Sequence, residues 1–234
     1  MKTNQSQRQV TVVKLHPLCC VEQVSLLMQI SRHPRLVEVL GTSFNQNSNY
    51  LVNEFCSGKT LQESIKTKAL SLTHMRVILL QIVAGMEALH GGGLVHGNLS
   101  LENILCLRLE QEDISSTSIK LSDFGLLMRH PAQESSVSSL LPPSPDPPSV
   151  SYRRRSPESI RTSTFTAESD VWAFGVVTWQ ILSDGIEPYS HCSKEDQVKH
   201  AILSGVRLSK PSRCPADLWE LILSCCQQVA ASRP

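Results

Sequence analysis

The sequence predicts an α+β fold with a small β-rich part at its beginning and a mainly helical part after it. Three observations lead to this prediction. Short β-branched runs dominate the first 56 residues, apolar side chains recur at helical spacing over residues 75–89, and residues 171–182 are almost continuously apolar. With 234 residues, of which 41% are hydrophobic and 18% charged, the chain is long enough to bury a sizeable core.

Three strands and one helix are predicted before residue 56. Residues 9–15 are β-branched and apolar, and residues 36–40 and 50–55 have the same character, with a polar turn at 45–49. Residues 22–30 place their leucines and isoleucine on one side of a short helix, between the first and second strands.

Helices are predicted to dominate the remainder. The helix over residues 75–89 stops at three consecutive glycines, and short strands are predicted at 104–105 and 119–121. Residues 171–182 are apolar on nearly every side, which is typical of a helix buried at the centre of a domain.

Two more helices and one irregular segment complete the expected order. Ser193 and Asp196 have the spacing of a capping box, which predicts a helix that Gly205 ends. Residues 215–229 form an amphipathic pattern. Residues 132–150 are rich in serine and proline, which predicts a mobile loop of polyproline character.

The composition disfavours several classes of protein. A net charge of +1 and an aromatic content of 5% give no basis for a nucleic-acid partner. We find no signal peptide and no apolar run of roughly 20 residues, so we expect no membrane span and a cytoplasmic location. None of the eight cysteines has C-x-x-C spacing, so we expect no structural metal.

The most specific signal is the run His96-Gly97-Asn98-Leu99-Ser100-Leu101-Glu102-Asn103 followed by Asp123-Phe124-Gly125. It resembles the catalytic loop and metal-binding motif of the protein kinase superfamily. The resemblance runs from Val10 to Pro234. It implies a protein-kinase-like two-lobe fold, with an incomplete N-terminal β lobe over residues 1–56 and a mainly helical C-terminal lobe over residues 57–234 that carries the insert 132–150.

The resemblance assigns the start of a nucleotide site to the first strand. Val12-Val13-Lys14 matches the strand whose lysine pairs with the α- and β-phosphates, although a lone lysine on a strand is often simply solvated. The following helix should supply a glutamate to orient that lysine. Gln23 stands at this position, so the usual ion pair is not expected.

The resemblance also assigns an adenine site. Asn53-Glu54-Phe55-Cys56 is similar to the hinge that binds adenine through its backbone, with Asn53 as the gatekeeper. Leu105 is implied to pack beneath the adenine. A strand end followed by a turn is the alternative interpretation of the hinge residues.

The catalytic loop both keeps and loses residues that the family uses. Asn103 and Asp123 are the implied Mg²⁺ ligands, and both are present. Asn98 stands where the family places the aspartate that accepts the substrate hydroxyl proton, and an amide cannot take up that proton. Gly97 replaces an arginine, and residues 100–102 are all non-basic.

Four further residues are implied to have structural roles. Glu158 in Ser-Pro-Glu should pair with Arg233, and Asp170 should brace the backbone of the catalytic loop that contains His96. Their presence implies that the fold is retained.

Within the superfamily, the central helix resembles that of tyrosine kinases. The His-Gly-Asn triplet, the helix without its glutamate and the run 119–123 are similar to the pseudokinase domains of Janus kinases, although the intact Asp-Phe-Gly and the Ser/Pro-rich loop depart from them. No glycine precedes Lys14, so the glycine-rich loop and first two strands are expected to be absent, and the chain stops before the family's last helix. We therefore expect truncation at both ends.

These observations favour a pseudokinase that acts by binding or allostery, with weak binding of ATP and Mg²⁺ and with a second kinase domain or a signalling adaptor as partner. One alternative is a weakly active tyrosine kinase, which Lys14, Asn103 and Asp123 would support. Another is a scaffold that docks SH3 or WW domains through its proline-rich loop, with Tyr152 as a phosphorylation site.

Overall fold

The computed structural model describes residues 9–15, 21–44, 49–110, 112–124 and 151–234, without the side chains of residues 21–23 and 44. The strands are β1 (Val10–Leu15), β2 (Val39–Phe44), β3 (Asn49–Glu54), β4 (Lys59–Thr60), β5 (Ile104–Arg108) and β6 (Ser118–Leu121). The helices are α1 (Val21–Ile30), α2 (Leu61–Thr67), α3 (Leu72–Gly91), α4 (Pro157–Thr162), α5 (Ala167–Leu182), α6 (Glu195–Leu203) and α7 (Ala216–Cys225). The predicted α+β class is confirmed.

The described strands form two antiparallel sheets of three strands each. The first has the order β1-β3-β2 and the second β4-β5-β6. The two sheets are joined where Val37 N–H donates to Leu121 O at 2.9 Å and Leu121 N–H donates to Arg35 O at 2.8 Å. Lys120 also forms an ion pair with Glu54 at the end of β3. The predicted boundary near residue 56 is therefore crossed by backbone hydrogen bonds and by an ion pair, and the division into two lobes stays a prediction.

Two predicted boundaries are wrong. The second strand begins at Val39 and not at residue 36, because the backbone of residues 35–37 pairs with Leu121 before the chain joins β3. The predicted capping box at Ser193 and Asp196 does not form. Instead the Gln197 side chain accepts hydrogen bonds from the N–H groups of Ser193 (3.0 Å) and Lys194 (3.3 Å).

Helix α5 lies at the centre of the hydrophobic core. Thirteen of its residues are buried, and Trp172 is fully buried. Thr166 caps the helix by accepting a hydrogen bond from Ser169 N–H at 3.2 Å. α3 packs beside it and, among the described helices, is the one long and apolar enough to cross a membrane, with 44% of that stretch buried. Core helices commonly have this composition.

Helices α5 and α7 approach each other closely at Gly175. A Cβ atom at this position would lie 2.7 Å from Cys225 Cβ and 2.9 Å from Cys226 Sγ. Such distances are shorter than carbon and sulfur atoms tolerate, so the contact between the two helices depends on a residue without a side chain.

We predict that Gly175→Ala destabilises the protein by about 1–3 kcal/mol, because the added methyl group overpacks the interface between α5 and α7. The measurement is the urea midpoint of unfolding. Gly91→Ala is the matched control, since a Cβ on that helical residue meets nothing within 4 Å. The control should be neutral or stabilising by less than about 1 kcal/mol. Equal midpoints for the two variants would refute the close approach.

Candidate functional site

The catalytic loop is held by one buried carboxylate. Asp170 lies in the first turn of α5 and is 1% exposed. Its two oxygens accept hydrogen bonds from the backbone N–H groups of His96 and Gly97, both at 2.8 Å, and His90 Nε2 lies 2.9 Å from Oδ2. The central helix therefore fixes the backbone of the loop at the two residues that precede Asn98.

Gly97 has a backbone conformation that a residue with a side chain would strain. Its φ is +67°, in the left-handed region, while its N–H remains bound to Asp170. A non-glycine residue would be less stable in this conformation by roughly 1–2 kcal/mol. The replacement of the family arginine by glycine therefore suits the local backbone while it removes a cation from the loop.

His96 links the loop to the next motif. Its ring is fully buried and lies 5.7 Å from the Phe124 ring in an edge-on arrangement. Burial lowers the pKa of His96 despite the nearby carboxylates of Asp170 and Asp123, so the ring is neutral at pH 7. Its Nδ1 accepts a hydrogen bond from Asn98 N–H at 3.3 Å. A neutral, buried histidine serves here as packing and not as an acid or base.

Asn98, Asn103 and Asp123 are brought together. Asn98 Nδ2 donates to Asp123 Oδ2 at 2.8 Å, and Asn103 Nδ2 donates to Asn98 O at 2.8 Å. In this contact the carboxylate oxygen is the acceptor, which fixes the orientation of the Asn98 amide. Asp123 has a φ of 53°, which aspartate tolerates better than most residues. The base position and the implied metal ligand are thus in direct contact.

Asn103 is positioned to offer an oxygen to a ligand. It ends the 3₁₀ turn Leu101–Asn103, and Ser122 N–H and Oγ–H both donate to its backbone carbonyl, at 2.9 and 3.0 Å. With its amide nitrogen committed to Asn98, its side-chain oxygen is the group left to face a ligand. Asp123 and Asn103 are therefore oxygen donors of the kind that Mg²⁺ prefers.

The strand lysine lies on the exposed face of β1. Val12 is 57% exposed, and Lys14, two residues on, is also exposed. No described carboxylate lies within ion-pair distance of the Lys14 ammonium group. Gln23 lies in α1, but its side chain is outside the described residues, so the expected loss of the ion pair stays a prediction.

The predicted hinge follows β3. Asn53 is 6% exposed, and within the described residues its Oδ1 has no hydrogen-bond donor. Glu54 accepts a hydrogen bond from Glu38 N–H at 2.8 Å as well as its ion pair with Lys120. Burial and the neighbouring Glu54 raise the pKa of the Cys56 thiol, so it is protonated at pH 7. The side chain of Glu54 is therefore occupied by contacts within the protein, which leaves the backbone groups of these residues to contact an adenine ring.

Leu105 lies across from the hinge in the second sheet. It is half-buried in β5, where it pairs in register with Thr60 of β4 and Lys120 of β6. Its neighbour Lys120 makes the ion pair with Glu54, so the strand implied to carry the adenine floor is tied directly to the hinge.

Glu158 and Arg233 form a two-pronged ion pair. Arg233 Nη1 and Nη2 lie 2.6 and 2.8 Å from the two carboxylate oxygens, and the Arg233 side chain is fully buried. The guanidinium also donates to Glu168 O at 2.8 Å and lies 5.2 Å from the centre of the Trp172 ring. Glu158 and the start of α4 are thereby fastened to the core next to α5.

Comparisons with known proteins decide the family. The family model for protein tyrosine and serine/threonine kinases matches residues 6–234. The chain belongs to this kinase family. It is 29% identical to the tyrosine-protein kinase Abl of Drosophila melanogaster over 213 residues, which are 89% of this chain and 12% of Abl.

Two other relatives are also tyrosine kinases or receptors of that group. Human ephrin type-A receptor 5 is 32% identical over 86% of this chain and 18% of the receptor. The transforming protein ros of UR2 avian sarcoma virus is 32% identical over 89% of this chain and 52% of the viral protein. The chain therefore spans at most about half the length of these curated relatives. The predicted resemblance to protein kinases, and to tyrosine kinases within them, is confirmed at this level.

The described residues resume at residue 151, and the contacts of the arginines that follow were not predicted from the sequence. Arg153 Nε lies 3.2 Å from Glu195, and Arg153 also donates to the carbonyl oxygens of Pro188, Tyr189 and Cys192. Arg154 lies 3.8 Å from Glu102 of the catalytic loop. A run of three arginines resembles solvated surface in a sequence, because these partners of Arg153 and Arg154 lie 35 or more residues away.

Tyr152, the predicted phosphorylation site, lies in the 3₁₀ turn Tyr152–Arg154 and is half-buried. The Arg155 guanidinium lies 5.0 Å from the centre of its ring, and the Lys199 ammonium lies 5.4 Å from it. The Ser/Pro-rich segment 132–150 and Gly125 lie outside the described residues.

A cavity of about 500 Å³ lies between α6 and α7. Trp219 and Leu223 form part of its wall, beside Arg207. The Arg207 guanidinium donates to Cys226 O at 3.0 Å, at the C-terminal end of α7, and to Val206 O at 3.0 Å. The nucleotide residues predicted from the sequence do not line it.

The ion pair between Glu158 and Arg233 makes stability depend on pH. Burial alone would raise the pKa of Glu158, but hydrogen bonds from Arg233 and Ser156 outweigh it and hold this pKa below its ordinary value. A depressed carboxyl pKa adds stability above the unfolded value of about 4.3 and loses it as the pH falls through the folded value.

We therefore predict that Glu158→Gln lowers the free energy of unfolding at pH 7 by about 2–4 kcal/mol, because it leaves a buried guanidinium without its charge partner. The difference between the two proteins should shrink between roughly pH 5 and pH 3. Urea unfolding at a series of pH values measures it. A difference that stays constant across that range would contradict the assignment.

Proposed function

We propose that this kinase domain is catalytically impaired and acts in cytoplasmic signalling as a binding or allosteric module. The observation that supports it most is the hydrogen bond from Asn98 Nδ2 to Asp123 Oδ2 at 2.8 Å. In phosphoryl transfer by kinases, an aspartate at the base position accepts the substrate hydroxyl proton. An amide has no proton-accepting capacity at neutral pH, and this amide presents its donor to the site.

The surroundings of Asn98 support the same proposal. Gly97 provides no cation with which to bind a phosphorylated activation segment. Residues 100–102 include no basic residue, and Glu102 lies 3.8 Å from Arg154. Each change removes positive charge that would otherwise lie near a transferring phosphoryl group.

A weakly active tyrosine kinase is the alternative. Lys14, Asn103 and Asp123 retain the residue types that hold a nucleotide with its metal, and positioning alone supplies much of the catalysis of phosphoryl transfer. The membership in a family of protein kinases supports ATP binding in general. Whether this chain transfers phosphate requires a direct assay.

We predict that the protein transfers no more phosphate from radiolabelled ATP to a generic tyrosine-containing polymer than Asp123→Asn does. The Asn98→Asp variant restores the proton acceptor and should raise transfer by about tenfold or more if the remaining groups still hold ATP. The assay is run with Mg²⁺ and again with Mn²⁺. Transfer by the unaltered protein clearly above the Asp123→Asn control would refute catalytic impairment.

The finer likeness to Janus kinase pseudokinase domains is part of the same proposal. It is supported by the His-Gly-Asn triplet at residues 96–98, by the helix without its glutamate and by the run 119–123. By this likeness, the domain would regulate a second kinase domain or a signalling adaptor by contact.

Docking of SH3 or WW domains on the proline-rich segment is a second way to bind partners. We predict that deleting residues 132–150 abolishes capture by a panel of purified SH3 and WW domains. The melting temperature should stay within a few degrees, since the deletion removes none of the described core. A scrambled segment of the same composition is the matched control. Unchanged capture after the deletion would eliminate this mode of binding.

A further inference from the structure

We propose that the cavity between α6 and α7 binds a small aromatic molecule with one negative charge, and that Arg207 recognises this charge. The cavity measures about 500 Å³. Pockets that hold small-molecule ligands commonly measure roughly 300–1,000 Å³. The proposal is independent of the nucleotide residues and goes beyond the proposed function, since it gives the domain a second kind of ligand.

The first step concerns the wall of the cavity. Its large apolar and aromatic side chains are Tyr189, Leu203, Leu208, Trp219, Ile222 and Leu223. Two of them, Tyr189 and Trp219, present aromatic rings. Aromatic rings pack favourably on one another in offset or edge-on arrangements, beyond the gain from burial alone. The wall therefore suits a ligand with an aromatic body.

The second step concerns access from solvent. A Cβ atom added to Gly205 would meet no atom within 4 Å, and Leu223 is 41% exposed. Both residues line the cavity. The cavity is therefore open to solvent beside them, and a ligand can enter without displacing either helix.

The third step concerns charge. Arg207 is the one charged residue among the described residues that line the cavity, and no described carboxylate forms an ion pair with it. Burial raises the pKa of the Cys226 thiol in the same wall to about 12, so that thiol is neutral at pH 7. The cavity thus has one positive charge without a counter-charge. A ligand with one negative charge complements it.

The fourth step concerns the donors that Arg207 can offer. A guanidinium has five N–H groups. Nε donates to Cys226 O and Nη1 to Val206 O, both at 3.0 Å, and Nη2 donates to the side-chain oxygen of Gln228. The Gln228 amide is neutral and exposed. Because a carboxylate accepts roughly twice as strongly as a neutral group, it can replace this amide as the partner of Nη2.

The guanidinium is also held in position before a ligand binds. Its carbon lies 4.7 Å from the centre of the Trp172 ring, and its bond to Cys226 O fixes it at the end of α7. A group that is already ordered loses little conformational entropy when it binds a ligand. Trp172 lies in α5, two residues after Asp170, so direct contacts connect the cavity to the helix that holds the catalytic loop.

Tyr189 offers a second donor. Its φ of 52° is unusual for a bulky residue, and its carbonyl oxygen is held by Arg153 Nη1 and Cys192 N–H, both at 2.9 Å. Residues held in such conformations occur often at ligand sites. Burial raises the pKa of the Tyr189 hydroxyl, and the charge of Arg207 opposes this rise. The hydroxyl is therefore protonated at pH 7 and lies in the field of Arg207, where it can donate to the same anion.

The experiment is isothermal titration calorimetry of the whole chain at neutral pH with naphthalene-2-carboxylate. Naphthalene-2-carboxamide is the matched control ligand, because it has nearly the same shape and no charge. We expect a dissociation constant below about 100 μM for the carboxylate and one about tenfold or more higher for the carboxamide, which cannot form a charge-assisted hydrogen bond with Arg207.

Leu223→Trp tests the location. The larger side chain fills the cavity and should weaken binding of the carboxylate by about tenfold or more. Leu107→Trp is the matched control variant, because Leu107 is also 41% exposed but lies in β5 and does not line the cavity. Its dissociation constant should stay within about twofold of that of the unaltered protein.

Two substitutions at Arg207 test the recognition of charge. Arg207→Gln should bind the carboxylate and the carboxamide equally, within about twofold, whereas Arg207→Lys should retain part of the preference for the carboxylate. Melting temperatures without ligand establish that each variant is folded. Where an Arg207 variant does not fold, the two ligands and Leu223→Trp test the proposal by themselves.

Any of three results would overturn the inference: no binding of the carboxylate, equal affinity of the unaltered protein for both ligands, or undiminished binding by Leu223→Trp. None of these results bears on catalytic impairment, which the transfer assay tests by itself. Conversely, phosphate transfer by the unaltered protein would refute catalytic impairment and leave the cavity as a ligand site.

Discussion

The carboxylate of Asp170 is the constraint on which the site depends. It is buried at the start of α5 and accepts two backbone hydrogen bonds from the loop that carries Asn98. A buried carboxylate is stable only when its oxygens are satisfied, and buried N–H groups are stable only when an acceptor is present. The Asp170 carboxylate and the N–H groups of the loop therefore require each other. The loop is restricted to the backbone conformation in which both hydrogen bonds form. The positive φ of Gly97 is part of that conformation.

A chain of direct contacts connects Asp170 to the other residues of the site. His96, fixed by its backbone, packs against Phe124, and Phe124 directly follows Asp123. Asp123 in turn accepts the hydrogen bond from Asn98. On the other side, Leu121 pairs with the backbone of residues 35–37, and Lys120 binds Glu54 beside the hinge. A change in the hinge is thus connected to the metal-ligand motif through β6, by contacts that involve neither a nucleotide nor a substrate.

The sequence predicted the parts of this arrangement that local pattern determines. The apolar stretch at 171–182 predicted a buried helix, and the resemblance to protein kinases implied that Glu158 pairs with Arg233 and that Asp170 braces the catalytic loop. It did not predict α2 or α4, which are six or seven residues long and have too few turns for an apolar period. Nor did it predict the contact of Arg154 with Glu102, because no local pattern specifies which carboxylate an arginine meets across 52 residues. The hydrogen bond from Asn98 to Asp123 was missed for a similar reason: a motif names residue types and gives no direction for an amide.

The fold and the chemistry of this domain depend on different atoms of the same loop. The loop is held through the backbone of residues 96 and 97 and through the buried side chains of Leu99 and Leu101, whereas transfer requires the side chain of residue 98. An exchange of aspartate for asparagine at that position leaves every anchoring contact in place. It also removes a repulsion, since an amide beside Asp123 is a hydrogen-bond donor where a carboxylate would be a like charge. Replacement of the catalytic aspartate by asparagine is therefore expected to leave the free energy of unfolding unchanged or to raise it. Active-site residues often lower the stability of a protein, so their loss is often stabilising. A domain that needs its kinase fold for binding, and not for transfer, has no energetic reason to keep the aspartate.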